Sequence, residues 1–152
     1  MSVVAKAIVI DASVALKWVF SDEEGIEQAS QLLADSFARR LVLHAPDLLG
    51  YEWGNGVWAA LRQQRILWEE ALAVMSALPM LNIRFHSFAE IKDLALELAH
   101  RYQRSYYDSA YLALAQQLGV WCFTGDKRLY NVLHQQLDWL RWVGDYRWEI
   151  IP

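Results

Sequence analysis

Four acidic residues stand at positions that solubility alone does not explain. Asp11 directly follows the apolar run IVI, and Asp126 follows the run VWCFTG. Glu52 lies within the largely apolar stretch DLLGYEWGNGVWAAL, and Asp108 lies within YYDSAYLALA. A carboxylate among buried apolar groups is unfavourable unless it is solvated, paired or bound to a metal ion. These four acids are therefore the candidate active-site residues.

Carboxylates gathered at one place are suited to chemistry on phosphates. Mg²⁺ and Mn²⁺ are hard ions that prefer oxygen ligands. Two such ions about 3.5–4 Å apart assist phosphodiester hydrolysis, one by activating water and the other by stabilising the leaving oxygen. Three or four carboxylates can hold one or two ions, so the acids indicate a metal-dependent hydrolase.

Each acid also has a purely structural explanation. Asp108 can complement a helix dipole, Asp126 can cap a helix, and Asp11 can serve as a turn residue. Glu52 is the hardest to explain in this way, because its neighbours are apolar on both sides. Asn55 lies three residues after Glu52 and therefore on the same helix face, which indicates a shared polar site.

Short apolar runs alternate with amphipathic segments along the chain. The runs AKAIVI, LVLH, NIRF and VWCFT are predicted strands, and the tail RWVGDYRWEII offers one further edge strand. A helix is predicted from Tyr106 to Leu118, ended by Gly119. This alternation predicts an α/β sandwich with a mainly parallel sheet of four to five strands. Ligand sites in such folds lie at the carboxyl ends of strands, where Asp11 and Asp126 stand.

Local signals predict where some of the elements begin. Pro46 is predicted at the first position of a helix, with Asp47 in its first turn. Ser87 is predicted to cap the helix FAEIKDLALELAHRYQ, with Glu90 completing a capping box. Ser21 and Asp22 are predicted to form a turn or cap.

Composition limits the classes of protein that this chain can belong to. The 152 residues fit one domain, predicted to span residues 1–152, and 55% of them are hydrophobic. No apolar run reaches the ~20 residues of a membrane span, and the short N-terminal run is not a signal peptide, so a cytoplasmic location is expected. The single cysteine, Cys122, excludes an internal disulfide and a thiolate zinc site.

The net charge of −4 does not by itself indicate a nucleic-acid partner. The chain has 18 acids against 14 Lys and Arg, whereas nucleic-acid binders usually carry basic excess. If four of the acids bind metal, 18 − 4 leaves 14 acids against 14 bases. The acidity is therefore compatible with a metal-bridged contact to phosphate.

Four segments together resemble one known family. IVIDASVALKW resembles the strand–Asp–x–Ser start of the PIN-domain family, and APDLLGYEWGN resembles its Glu-x-x-Asn helix. SYYDSAYLALAQQLG resembles its Asp-x-x-Tyr-x-x-Leu-Ala signature, and FTGDKRL its Thr-x-Asp turn. Within that family the chain is most similar to the toxin ribonucleases of VapBC-type toxin–antitoxin pairs, and the resemblance spans nearly the whole chain.

The resemblance implies a fold and a set of roles. It implies a PIN-like three-layer α/β/α sandwich in which Asp11, Glu52, Asp108 and Asp126 bind Mg²⁺ or Mn²⁺, as one or two ions. It further implies supporting hydroxyls at Ser13 and Thr124 and a supporting amide at Asn55. Four basic residues adjoin these acids in sequence and are candidate phosphate contacts: Arg101, Arg104, Lys127 and Arg128.

The implied function is an endoribonuclease that hydrolyses RNA, with tRNA or rRNA as its substrate, and that acts as the toxin of a toxin–antitoxin pair. A symmetric homodimer and an inhibitory antitoxin protein are the implied partners. Two other readings stay open: a housekeeping RNA-processing nuclease, and a non-catalytic module that binds RNA or protein.

Other acid-centred families fit less well. A phosphatase with an aspartyl nucleophile usually has a second Asp two residues after the first, where this chain has Ser13. A phospho-receiver domain needs a paired acid early in the chain and a Lys after a late strand, and Lys127 lies only one residue past Asp126. The histidines show no close metal-ligand spacing, and the chain has no glycine-rich phosphate loop.

Overall fold

A computed structural model describes residues 4–20 and 24–152. Its centre is a five-stranded sheet in the order β3-β2-β1-β4-β5, and every neighbouring pair is parallel. The strands are β1 (Lys6–Ile10), β2 (Leu41–Pro46), β3 (Ile83–His86), β4 (Trp121–Thr124) and β5 (Leu140–Trp142). The predicted parallel α/β fold is confirmed. The predicted turn at Ser21 and Asp22 lies outside the described residues.

Within residues 4–20 and 24–152, seven α-helices connect and flank the strands. They are α1 (Ala12–Leu16), α2 (Ile26–Phe37), α3 (Leu48–Arg62), α4 (Trp68–Ala77), α5 (Phe88–Tyr102), α6 (Tyr106–Leu118) and α7 (Lys127–Leu133). Parallel neighbours need crossover connections, which place helices against the faces of the sheet. Gly119 ends α6 in the left-handed conformation with φ 68°, as its position predicted. Within the described ranges, no helix is long and apolar enough to cross a membrane.

The strand order places a topological switch between β1 and β4. From β1 the chain proceeds outward through β2 to β3, and then returns across the sheet to β4 and β5. Connections that leave two neighbouring strands in opposite directions open a crevice at the carboxyl ends of those strands. The central strand β1 is suited to this place, because its last three residues are fully buried.

Two predicted helix starts are wrong in detail. Pro46 does not begin a helix but ends β2, and the N–H of Asp47 continues the pairing to the carbonyl of His86 at 2.8 Å. A proline at a strand end costs no ladder hydrogen bond, so the strand extends further than the sequence indicated. Ser87 does precede α5, but its side chain makes no capping bond.

A competing partner explains why the capping box at Ser87 does not form. The carboxylate of Glu90 lies 2.8 Å from Nδ1 of His86, whose Nε2 lies 2.9 Å from Nδ1 of His44. His44 and His86 stand on the neighbouring strands β2 and β3, so only the sheet register brings them together. Burial of His44, together with the nearby His86 and Arg84, lowers the pKa of its imidazole.

A glycine in α3 allows α1 to pack closely against it. A Cβ atom at Gly56 would lie 2.7 Å from Cδ2 of Leu16, closer than two carbon atoms can approach. The two glycines of this helix lower its intrinsic stability by about 1 kcal/mol each. At Gly56 this loss of helix stability is accompanied by close contact with α1, the short helix that carries Ser13.

A buried carboxylate ties the C-terminal segment to α2. The hydroxyl of Tyr146 donates a 2.7 Å hydrogen bond to Oδ2 of Asp35. Nη1 of Arg40 lies 3.3 Å from Oδ1 of the same carboxylate, which is buried. A buried charge is tolerated only when it is paired and hydrogen-bonded, so each donor is needed.

We predict that Tyr146→Phe destabilises the protein by about 2 kcal/mol, because it removes a hydrogen bond to a buried charged group. Urea denaturation measures this change in the free energy of unfolding. Tyr51→Phe, at a side chain that is 82% exposed, is the matched control and should be neutral. Equal stability of the two variants would mean that the Asp35 network is not needed.

Candidate active site

Asp11 is held at the exit of the central strand. Its backbone N–H donates to the carbonyl of Phe123 at 3.2 Å, which extends the pairing of β1 with β4 by one step. Its side chain caps α1, because Oδ1 accepts from the N–H of Val14 at 3.2 Å. The hydroxyl of Ser13 donates to the same oxygen. Asp11 is 7% exposed, so these donors stabilise a carboxylate that is nearly out of contact with water.

Hydroxyl groups connect the Asp11 turn to the Asp126 turn. Oγ of Ser13 accepts from the N–H of Gly125 at 2.7 Å and lies 3.4 Å from Oγ1 of Thr124. Thr124 in turn accepts from the N–H of Asp126 at 3.0 Å. Ser13 and Thr124 therefore fix the two acid-bearing turns relative to each other.

Asp126 stands at the mouth of the site, directly before α7. Its Oδ1 accepts from the N–H groups of Arg128 and Leu129 at 2.9 and 3.3 Å, so Asp126 caps this helix. The side chain is exposed. One carboxylate oxygen is thus engaged by the cap, and no hydrogen bond to a described residue engages Oδ2.

A hydrogen bond joins Glu52 on α3 to Tyr111 on α6. Tyr111, on α6, is buried, and its hydroxyl donates a 2.6 Å hydrogen bond to Oε1 of Glu52 on α3. Burial and the neighbouring Glu52 carboxylate raise the pKa of Tyr111, so the phenol stays protonated and acts as a donor. The bond fixes the direction of the Glu52 side chain.

Asp108 occupies the first turn of α6. Its backbone N–H donates to Oγ of Ser105, which caps the helix, at 3.0 Å. Nη2 of Arg104 lies 3.9 Å from Oδ2 of Asp108. Nε of Arg104 is buried and has no hydrogen-bond partner within the described part of the chain. Arg104 therefore lies within ion-pair distance of an acid of the cluster.

Three of the four acids have raised pKa values, and in each case another acid of the set contributes to the shift. Burial raises the pKa of Asp11 to about 6, and the charge of Asp108 adds to this shift. Burial and Asp108 raise the pKa of Glu52, while the Tyr111 hydrogen bond opposes the shift. Burial and Asp126 raise the pKa of Asp108, while Ser105 and Arg104 oppose the shift. The charged forms of Asp11, Glu52 and Asp108 are thus disfavoured mainly by burial and, to a smaller degree, by another acid of the set, which is the condition that a bound cation relieves.

The donor set fits a hard divalent cation, although the side chains engage other partners in this conformation. Carboxylate oxygens are the ligands that Mg²⁺ and Mn²⁺ prefer, and the set offers four carboxylates. Among residues 4–20 and 24–152, no three His, Cys, Asp or Glu side chains are grouped closely enough to hold one ion. Asp11 binds Ser13 and Val14, and Glu52 binds Tyr111. Joint coordination of an ion therefore requires rotation of some of these carboxylates.

The structure brings some of the sequence-predicted residues to this site and leaves others away from it. Asn55 is exposed and makes no hydrogen bond to another described residue, although it follows Glu52 on the same helix. Arg101 is exposed on α5 and pairs with Glu97 at 2.7 Å. Lys127 and Arg128 are exposed beside Asp126 at the start of α7.

Tyr111 was not identified as a site residue from its sequence position. It lies three residues after Asp108 and therefore on the same face of α6, which is the signal that would have located it. A tyrosine in an apolar helix is usually interpreted as a core residue. The role of the Tyr111 hydroxyl follows only from its contact with Glu52.

Comparison with known proteins identifies the family of this chain. Residues 8–134 match the PIN domain, and the chain belongs to the PIN-domain family. Ribonuclease VapC3 of Pyrobaculum aerophilum is 32% identical over 124 residues, which cover 80% of this chain and 91% of that protein. Ribonuclease VapC1 of Mycobacterium tuberculosis is 31% identical over 102 residues, which cover 66% and 75%.

Solved structures show the same fold. A Pyrobaculum aerophilum crystal structure superposes with a TM-score of 0.66 at 19% identity, over 91% of this chain and 92% of that one. Mycobacterium tuberculosis VapC20, described as a sarcin–ricin loop cleaving toxin, superposes with a TM-score of 0.59 at 18% identity, over 83% and 95%. At these identities the likeness concerns the fold alone.

The pKa of Asp11 predicts how metal-free stability depends on pH. Between the ordinary value of 3.8 and the folded value of about 6, the folded chain binds more protons than the unfolded chain. Stability therefore falls as the pH rises through this window, by up to about 3 kcal/mol. We predict that Asp11→Asn is neutral or stabilising at pH 7.5 in chelator, because Asn keeps an oxygen for Ser13 and Val14.

Thermal melts at pH 4.5 and pH 7.5, with chelator and with Mn²⁺, measure this prediction. The advantage of Asp11→Asn over the wild type should be larger at pH 7.5, and the stabilisation by Mn²⁺ should be lost. Asp145→Asn, at an exposed acid, is the control and should follow the wild type. A loss of several kcal/mol at pH 7.5 with an intact Mn²⁺ effect would make Asp11 a structural residue.

We predict that Tyr111→Phe weakens Mn²⁺ binding about tenfold, because a residue that orients a metal ligand typically contributes that much. The variant also leaves Oε1 of Glu52 without its donor, so the pKa of Glu52 should rise further. Calorimetric titration measures the affinity, and nuclear magnetic resonance measures the pKa. Tyr146→Phe is the matched control, since it removes a comparable bond outside the acid cluster. Unchanged affinity in Tyr111→Phe would mean that Glu52 does not bind the metal.

Proposed function

We propose that this chain is a metal-dependent endoribonuclease whose active site is formed by Asp11, Glu52, Asp108 and Asp126. The observation that carries the proposal is that burial, with a smaller contribution from another acid of the set, raises the pKa values of Asp11, Glu52 and Asp108. Carboxyl groups with perturbed pKa values that lie near one another are typical of functional sites. The ribonuclease names of the VapC relatives support RNA as the substrate.

Mg²⁺ or Mn²⁺, as one or two ions, is the cofactor that we propose. Asp11, Glu52, Asp108 and Asp126 would hold such an ion, which would supply positive charge that lowers the pKa of the attacking water and neutralises the phosphate. Three of the carboxylates depend on the contacts described above. Tyr111 orients Glu52, and the hydroxyls of Ser13 and Thr124 hold the turns of Asp11 and Asp126 together.

Positive charge around the cluster supports contact with the RNA backbone. Arg104 lies beside Asp108, and Lys127 and Arg128 flank Asp126. Phosphate contacts of this kind fix the register of a nucleic acid without reading its sequence. We propose these three residues as phosphate contacts, and we propose tRNA or rRNA in the cytoplasm as the target pool. Arg101, paired with Glu97, is the weakest member of the predicted set.

We further propose that the chain, as one domain over residues 1–152, is the toxin of a toxin–antitoxin pair and forms a homodimer. Two structural neighbours support the antitoxin: a toxin–antitoxin complex from Klebsiella pneumoniae, and VapBC2 from Rickettsia felis. Large apolar side chains on α3 and α4 also support protein partners, because they are exposed to solvent: Tyr51, Trp58, Trp68, Leu72 and Met75. Exposed apolar groups gathered on neighbouring helices are typical of interaction surfaces.

The direct test is cleavage of a total tRNA and rRNA pool by the purified chain. We predict discrete fragments with Mg²⁺ or Mn²⁺ and none with chelator. Asp108→Asn should lower the rate by at least about a hundredfold, as removal of one catalytic group typically does. Asp145→Asn, the exposed-acid control, should retain the wild-type rate.

The outcomes of this assay separate the open alternatives. Cleavage that persists in Asp108→Asn or in chelator would contradict the mechanism. Absence of both cleavage and metal binding would favour a binding module without catalytic activity. Cleavage by a chain with no antitoxin reading frame beside its gene would favour a housekeeping nuclease.

A further inference from the structure

A polar pocket adjoins the acid cluster on the side of β5. It has a volume of about 600 Å³, and Ser13 and Asp126 form part of its wall. Both residues also belong to the candidate active site, so the pocket and the acid cluster share a boundary. A substrate strand that lies over the acids therefore has a second polar cavity directly beside it.

Cationic side chains dominate the rest of the pocket. Among the described residues that line it, the cations are Lys17, Lys127 and Arg128, and the acids are Glu24 and Asp126. Within the described part of the chain, neither Lys127 nor Arg128 forms an ion pair.

The indole of Trp142 holds two of these cations in place. Nζ of Lys127 lies 4.4 Å from the ring centroid of Trp142, and Nζ of Lys17 lies 5.8 Å from it. An ammonium group over an indole face is stabilised by the ring's electron density. Trp142 is itself buried, and the two lysines lie over its ring. The ring is therefore not available for stacking on a base.

Close backbone contact keeps the pocket next to the acids. A Cβ atom at Gly125 would lie 2.6 Å from Cε of Lys17 and 2.9 Å from the carbonyl oxygen of Ser13. Any larger residue would displace Lys17 or the Ser13 turn. The glycine thus allows the lysine stem to lie directly against the turn that carries Asp126.

We propose that this pocket binds the RNA phosphate next to the scissile phosphate, through Lys127 and Arg128 with Lys17 behind them. The inference rests on the proposed ribonuclease function. A phosphodiester carries one negative charge and no base-specific groups. This matches the described lining of the pocket, in which Lys127 and Arg128 are exposed and the ring of Trp142 is covered. The pocket then positions the strand over the acids and does not select a base.

The test uses oligoribonucleotides that the wild type cuts at one mapped bond. In one series the linkage before or after that bond is a neutral methylphosphonate, which removes a single charge. The values of kcat and KM are measured for the wild type, Lys127→Gln, Arg128→Gln and the control Lys92→Gln. Lys92 is exposed on α5 beside Asp93, so its replacement makes the same charge change outside the pocket.

We expect the neutral linkage at one flanking position to raise the wild-type KM about three- to tenfold, as loss of one phosphate contact should. Lys127→Gln should raise KM for the unmodified substrate by a similar factor, with kcat little changed. The neutral linkage should then raise the KM of Lys127→Gln no further. The slope of log KM against log salt should become shallower by about one. Lys92→Gln should retain the wild-type response.

Two results would overturn the inference in distinguishable ways. If both pocket variants keep the full response to the neutral linkage, the pocket does not bind that phosphate, while the ribonuclease function stands. If the wild type cuts no RNA, the proposed function itself fails. Equilibrium binding of the same oligonucleotides then decides the pocket separately, and equal affinities of the wild type and Lys127→Gln would refute it.

Discussion

The parallel pairing of β1 with β4 is the interaction on which the candidate site depends. Ile8, Val9 and Ile10 pair with Trp121, Cys122 and Phe123, and the N–H of Asp11 adds one further bond to Phe123. Parallel register brings both strand ends to the same edge of the sheet, so two turns distant in sequence become neighbours. A shift of this register by one residue would turn the buried side chains to the opposite face and separate the acids.

Polar contacts then convert this neighbourhood into a defined site. The Ser13 hydroxyl joins Asp11 to the N–H of Gly125, and Tyr111 reaches Glu52 from another helix. The same burial that gives the hydrogen bonds their directional effect raises the carboxyl pKa values, so the metal-free site is held in an unfavourable electrostatic state. At Asp11 the ionised form that a metal ion needs lowers the stability of the metal-free protein, and a bound cation would offset this loss.

Sequence reasoning found the elements whose signals are local. The parallel sheet, the helix ended by Gly119 and the acids at the strand exits follow from apolar periodicity and short-range chemistry. The errors arose where a distant residue competed with a local one. Glu90 binds His86 instead of capping α5, and β2 extends through Pro46 because Asp47 pairs with β3. Neither contact is visible without the register of β2 against β3.

The central claim is that Asp11, Glu52, Asp108 and Asp126 form one divalent-cation site. Anomalous diffraction from crystals soaked in Mn²⁺ tests it most directly, because it locates the ions without reference to activity. The account predicts one or two peaks among the four carboxylates, with Glu52 still held by Tyr111. Saturating Mn²⁺ that gives no peak there, or peaks only at other surface acids, would contradict it.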